Sequence, residues 1–76
     1  MAKDYSKDFG IVLKELRKES KVTQEGLAEL TGLDPTYISL IERGLRNPTL
    51  NTFMKIAEAL KIDPSILMKK LSNQFN

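Results

Sequence analysis

Two Asp-Pro dipeptides, Asp34-Pro35 and Asp63-Pro64, set the strongest limits on how this chain can fold. Aspartate at an N-cap accepts a backbone N–H of the first turn, and the proline after it lacks an N–H where none is needed. Each pair therefore opens a helix and closes whatever preceded it. Thr23 and Thr49 offer caps of the same kind, and Gly32 and Gly44 stop the helices before them, since glycine enters the left-handed region without a Cβ penalty. These marks predict five short helices. The first is capped by Ser6 and runs to about Ser20; the second is Gln24–Thr31; the others cover about 35–43, 50–61 and 64–71. The tail 72–76 is expected to fray unless a contact ties down Phe75.

Within the first segment Phe9, Val12, Leu13 and Leu16 follow the stripe of a helix buried on one face, and no segment alternates with the period of a strand. The expected fold is all-α, a compact five-helix bundle. Its predicted core is Phe9, Val12, Leu16, Leu27, Ala28, Leu33, Ile38, Ile41, Leu50, Phe53, Ile56, Ala57 and Leu60. With 76 residues the chain makes one domain, 1–76. A core this small supplies about 3–5 kcal/mol by itself, so helix packing or a partner subunit must support it.

Cysteine and histidine are both absent, which removes disulfides, thiolate and imidazole metal sites, and every Cys–His or Ser–His catalytic arrangement. Catalysis would need paired carboxylates or a lysine in a cleft, and no such cluster stands apart from solvated helix faces. Neither an enzyme nor a cofactor is expected. The net charge is +2 and the pI about 9.0, too mild for a non-specific nucleic-acid coat yet compatible with a locally basic face. No run is apolar enough to span a membrane, and residues 1–5 lack the apolar stretch of a signal peptide, so a cytoplasmic protein is expected.

Between Gln24 and Gly44 the spacing becomes specific. Two helices that cross steeply through a short turn need a small residue at their closest approach (Ala28), a glycine for the turn (Gly32), and branched apolar residues anchoring the second helix (Ile38, Ile41). That is a helix-turn-helix over about 24–43, which leaves the outer face of the second helix free to enter a major groove. The strings Gln24-Glu25-Gly26-Leu27-Ala28, Gly32-Leu33, Tyr37-Ile38-Ser39-Leu40-Ile41-Glu42-Arg43-Gly44 and Arg46-Asn47-Pro48-Thr49-Leu50 resemble the Cro/lambda-repressor-type helix-turn-helix family, the XRE family. The resemblance covers about residues 8–67 and, within the family, is similar to the controller proteins of restriction–modification systems.

The resemblance implies double-stranded operator DNA as a partner and assigns roles to particular residues. Gln24 matches a glutamine that bonds a DNA phosphate; the alternative is a polar helix start with no partner. Thr36, Tyr37 and Ser39, on the first turns of the third helix, would reach base edges or the adjacent backbone. Tyr37 has a second use as a partly buried aromatic. Arg43, Arg46 and Asn47 suit the DNA backbone, although Arg43 also favours a helix C-terminus as a cation. Arg17 and Glu42 match a structural ion pair that fixes how the first and third helices meet. Glu25 and Glu29 stand where lambda repressor offers an acidic patch to the RNA polymerase sigma factor. Two positions depart from the family. Pro35 replaces a polar base reader, and Lys21 stands where glycine is common, so either that turn differs or strain is tolerated.

One such unit covers few base pairs, and dimers bind two half-sites of a near-palindromic operator. Ile66, Leu67, Met68 and Leu71 make the fifth helix, about 64–71, the expected homodimer interface; the other use of Ile66 and Leu67 is to close the monomer's own core. The expected function is a sequence-specific, dimeric transcriptional regulator acting as repressor or activator. The rival is an antitoxin or protein-interaction adaptor built on the same scaffold.

Overall fold

The computed structural model describes residues 4–75. Among them the chain forms five helices and no strand: α1 (Ser6–Glu19), α2 (Gln24–Thr31), α3 (Pro35–Glu42), α4 (Leu50–Ala59) and α5 (Pro64–Phe75). Four of the starts are set by the caps read from the sequence. Thr23 Oγ1 accepts the Gly26 N–H at 2.9 Å, Asp34 Oδ1 the Thr36 N–H at 2.7 Å, Thr49 Oγ1 the Thr52 N–H at 3.1 Å, and Asp63 Oδ1 the Ser65 N–H at 2.8 Å. Each bond satisfies one donor that the first turn leaves open. Gly32, at φ 74°, turns the chain between α2 and α3 and sends its N–H to the Ala28 carbonyl.

The first helix starts differently from expectation. Ser6 is not its cap but its first residue, and it is buried. Tyr5 occupies the N-cap without capping the helix through its side chain, while Asp4 Oδ1 accepts the Ser6 N–H at 2.9 Å. Three ends also shift. The third helix stops at Glu42 with Arg43 as its C-cap, and α4 stops at Ala59, because Lys61 turns to φ 56°. The fifth runs on to Phe75 instead of fraying at 72. Its last turn is held by the Phe75 ring, 4.7 Å from that of Tyr5, an aromatic pairing that closes the two ends of the described chain on each other.

The core is built from Phe9, Val12, Leu13 and Leu16 of α1, Leu27 and Ala28 of α2, Ile38 and Ile41 of α3, Ile56 and Ala57 of α4, and Leu67 of α5. α1 packs on α3 and α5, α2 on α3 and α4, and α4 on α5. Two expectations are overturned. Leu50, expected in the core, is 77% exposed: the inward residues of α4 are Thr52, Ile56 and Ala57, and Leu50 shares a neighbouring face with Met54, four residues on. Leu67, expected first at a dimer interface and otherwise in the monomer core, takes the second place: it is fully buried in the monomer, between α5 and the rest of the bundle. Leu33, Phe53 and Leu60 pack half-buried against the core. The departure at Lys21 is resolved as tolerated strain. Its φ is 57°, so the turn keeps a left-handed residue that costs about 1–2 kcal/mol for a side chain with a Cβ.

No helix among the described residues is long and apolar enough to cross a membrane.

Candidate nucleic-acid interface

The α3 helix is positioned from three sides. Ile38 and Ile41 are fully buried, which turns one face of α3 inward and its opposite face to solvent. At its C-terminal end Glu42 takes Arg17 Nε on Oε2 at 2.5 Å and Nη2 on Oε1 at 3.1 Å. Arg17 Nη1 also donates to the Val22 carbonyl at 2.8 Å, and Gln24 Nε2 reaches Glu42 Oε1 at 3.1 Å. One carboxylate therefore joins α1, the start of α2 and the end of α3. Its side chain is only 3% exposed, and the hydrogen bond to Glu42 raises the Arg17 pKa above its ordinary value against the opposing cost of burial.

The third restraint is a close approach of backbones that the residue spacing does not reveal. A Cβ on Gly10 of α1 would lie 2.6 Å from the carbonyl oxygens of both Ile41 and Glu42, so only glycine lets α1 lie this close to the end of α3. The one signal in the sequence is a glycine inside an otherwise helical stripe.

With α3 held in this way, the expected DNA-reading residues divide. Thr36 is exposed on the first turn and Ser39 is half-buried. Tyr37 is half-buried against the core, and its hydroxyl lies 3.4 Å from Thr52 Oγ1 on α4, so its ring is lodged between the two helices. Pro35 is exposed at the first position of α3, where it adds a preset φ but no donor. Arg43 and Arg46 are exposed, one as the α3 C-cap and one in the turn to α4. Asn47 is exposed, with its side chain engaged with Ser6 and Asp4. Gln24 keeps one amide hydrogen beyond the one given to Glu42, and lies half-buried at the start of α2.

Glu25 and Glu29 are exposed one turn apart on α2. On α5, Ile66 and Met68 are each 50% exposed, Leu71 is half-buried against the core, and Leu67 is enclosed. The surface that α5 leaves for a partner is therefore narrower than the apolar pattern of the helix suggests.

A helix-turn-helix family model matches residues 13–67. The control protein C.MunI from Mycoplasma sp is 42% identical over 67 residues, spanning 87% of this chain and 90% of that protein. The control protein C.BamHI from Bacillus amyloliquefaciens is 43% identical over 61 residues, covering 79% of this chain and 75% of that one. Among solved structures, the restriction–modification controller protein C.Esp1396I, as a tetramer in complex with its natural 35-base-pair operator, superposes with a TM-score of 0.86 at 33% identity, covering 96% of each chain. Three other regulators are longer, and the chain spans 41%, 41% and 39% of their lengths. This chain thus belongs to the XRE-type helix-turn-helix family of DNA-binding transcription regulators, with restriction–modification control proteins among its relatives.

Proposed function

We propose that the chain acts as a homodimer that binds a near-palindromic operator and regulates transcription, as the controller of a restriction–modification system. One observation carries this reading: α3 is anchored by Ile38, Ile41 and Glu42 while Thr36, Arg43 and Arg46 stand in solvent at its two ends. Such a helix can enter a major groove with its first turn toward base edges, while arginines at the other end meet phosphates. The relatives named as control proteins support the assignment to restriction–modification. In this reading the protein works in the cytoplasm as a reader of DNA and not as a catalyst.

Selection of bound duplexes from a random library at about 150 mM salt, a concentration at which non-specific binding is already weakened, tests the proposal. A two-fold-symmetric site with half-sites about 34–36 Å apart is expected. Recovery of salt-sensitive binding with no common sequence would defeat it. On the selected site Arg46→Ala should weaken binding to all sequences and lower the salt slope by about one, whereas Thr36→Ala should relax preference at particular bases. If both changed base preference equally, this division of roles would be wrong.

Ile66 and Met68, half-exposed on α5, are the residues we assign to the two-fold contact, with Leu71 beside them. The double variant Ile66→Asp/Met68→Asp should be monomeric by sedimentation and still folded by circular dichroism. A folded dimer carrying both charges would place the interface elsewhere. Leu67→Asp is not a test of the interface, because it inserts a carboxylate into the monomer core.

Glu25 and Glu29 are assigned to a contact with the RNA polymerase sigma factor. Their joint replacement by lysine should abolish activated transcription and leave operator binding intact. Undiminished activation would remove them from that role.

A further inference from the structure

The turn that carries Arg46 begins with its own backbone bonds, Gly44 N–H to the Ile41 carbonyl at 3.0 Å and Leu45 N–H to the Leu40 carbonyl at 2.9 Å, and α1 supports it from beneath. Three successive contacts run along the first two turns of α1. Ser6 Oγ donates to Asp4 Oδ1 at 2.6 Å and lies against the side-chain amide of Asn47, which also bonds to the Asp4 carboxylate, so the three side chains form one cluster. Ser6 is 4% exposed, whereas Asp4 and Asn47 lie at the surface. One residue further along α1, a Cβ on Gly44 would lie 2.8 Å from Lys7 Cγ and 3.0 Å from Lys7 Cα, so the turn lies directly on the α1 backbone there; its φ of 75° is the left-handed value that lets α3 end. Gly10 then meets the carbonyls of Ile41 and Glu42. The chain from 41 to 47 is thereby laid against α1 at both of its ends and at Gly44, while Arg43, Leu45 and Arg46 point to solvent.

We infer that Ser6, acting through Asn47, is a positioning residue for DNA binding: it holds the α3–α4 turn in the conformation that presents Arg46 to a phosphate. The inference rests on the assignment of Arg46 to the DNA backbone made above. The physical case is one of preorganisation. Released from this anchor, the stretch 46–48 that follows the closed part of the turn gains conformations, and binding must then bear the cost of ordering it along with a long arginine side chain. The cluster of Ser6, Asp4 and Asn47 removes that cost before DNA arrives, although neither Ser6 nor Asn47 needs to touch a base. The arrangement also explains why a hydroxyl is buried at the start of α1: among the described residues no buried side-chain nitrogen or oxygen lacks a partner, and that of Ser6 is satisfied only through the arm before α1 and the turn after α3. Asn47 accordingly acts from the surface through its contact with Ser6 and not as a direct DNA ligand.

The test uses the full chain and the duplex enriched by the selection described above, with affinity measured across a series of salt concentrations. Ser6→Ala should weaken binding about five- to tenfold, the worth of one net hydrogen bond, and lower the salt slope toward that of Arg46→Ala. In an Arg46→Ala background, Ser6→Ala should have almost no further effect. Asn47→Ala breaks the same link from the exposed side, and it provides the measurement if Ser6→Ala does not fold. Asn47→Ala should reproduce the loss, and the Ser6→Ala/Asn47→Ala double variant should bind no worse than either single variant.

A loss of affinity with an unchanged salt slope would overturn the inference, because a general loss of stability removes no phosphate contact. Wild-type affinity in Asn47→Ala, or losses that multiply in the double variant, would overturn it as well, the latter by returning Asn47 to direct DNA contact. Failure of the underlying reading has a different signature: Arg46→Ala itself would then bind the duplex with wild-type affinity and slope.

Discussion

Glu42→Ala should destabilise the protein by about 3–5 kcal/mol, the cost of removing one partner from a buried ion pair. The size follows from what the substitution strands. Glu42 is 3% and Arg17 11% exposed, and the carboxylate receives two bonds from the guanidinium and one from Gln24. Removing it leaves the Arg17 charge, only 11% exposed, held by the Val22 carbonyl alone. Since a core of this size contributes about 3–5 kcal/mol in all, the variant should be largely unfolded as a monomer at 25 °C. Urea denaturation followed by circular dichroism measures it. Replacing both partners with apolar residues of similar volume, as in Arg17→Met/Glu42→Leu, should recover most of the loss, because then no charge remains buried. A cost below about 1 kcal/mol for Glu42→Ala would mean that the pair behaves as an exposed one and does not hold α3 in place.

Gly10→Ala should destabilise the protein by about 2 kcal/mol, although alanine is the better helix former. In isolation the exchange favours a helix by about 1 kcal/mol. Here the new Cβ would meet two carbonyl oxygens at 2.6 Å, and both belong to backbone that cannot rotate aside. α1 must lift away from the end of α3, and overpacking of this kind costs about 1–3 kcal/mol or more. Gly26→Ala is the natural comparison. Its Cβ would meet only side-chain atoms, Thr23 Oγ1 at 3.1 Å and Val22 Cγ1 at 3.3 Å, so its effect should be smaller. Thermal denaturation of both variants decides the matter: a Gly10→Ala protein as stable as the wild type would show that α1 and α3 do not press together. If α1 does move, the α3–α4 turn resting on it moves too, and operator affinity should fall along with stability.

The local features are legible in the residues themselves. Caps at Thr23, Asp34, Thr49 and Asp63 and the turn at Gly32 stand where the sequence puts them, because a cap is chemistry between residues two or three apart. The burial of Ile38 and Ile41 follows from the same local logic, since a helix after a tight turn has one face to anchor. Ser6 shows the limit of that logic. A serine before an apolar stripe reads as a cap, yet its hydroxyl is buried between Asp4 and Asn47, the latter 41 positions away, and no local pattern announces that second partner.

For the candidate interface, spacing places the helix-turn-helix, while the roles of Gln24, Thr36, Arg43 and Arg46 come from family resemblance. The Arg17–Glu42 pairing also comes from resemblance, and the structure places those side chains in contact. The exchange between Leu50 and Leu67 is decided by neither route, although the core was one of the two uses open to Leu67. Both are leucines near the start of a helix, and both fit an apolar pattern. Which one is enclosed depends on how α4 and α5 are rotated about their axes when they pack, and that rotation is a property of the assembled bundle.

The sequence alone thus determined where four of the five helices begin, the turn at Gly32, and that two of them form a helix-turn-helix, because those outcomes rest on bonds and backbone preferences within a few residues. Tertiary structure decided which apolar residues are enclosed, that Phe75 closes on Tyr5, that only glycine fits at position 10, and that the turn bearing Arg46 rests on α1 through Ser6 and Asn47. Those contacts join residues far apart along the chain, so they exist only once the helices have packed.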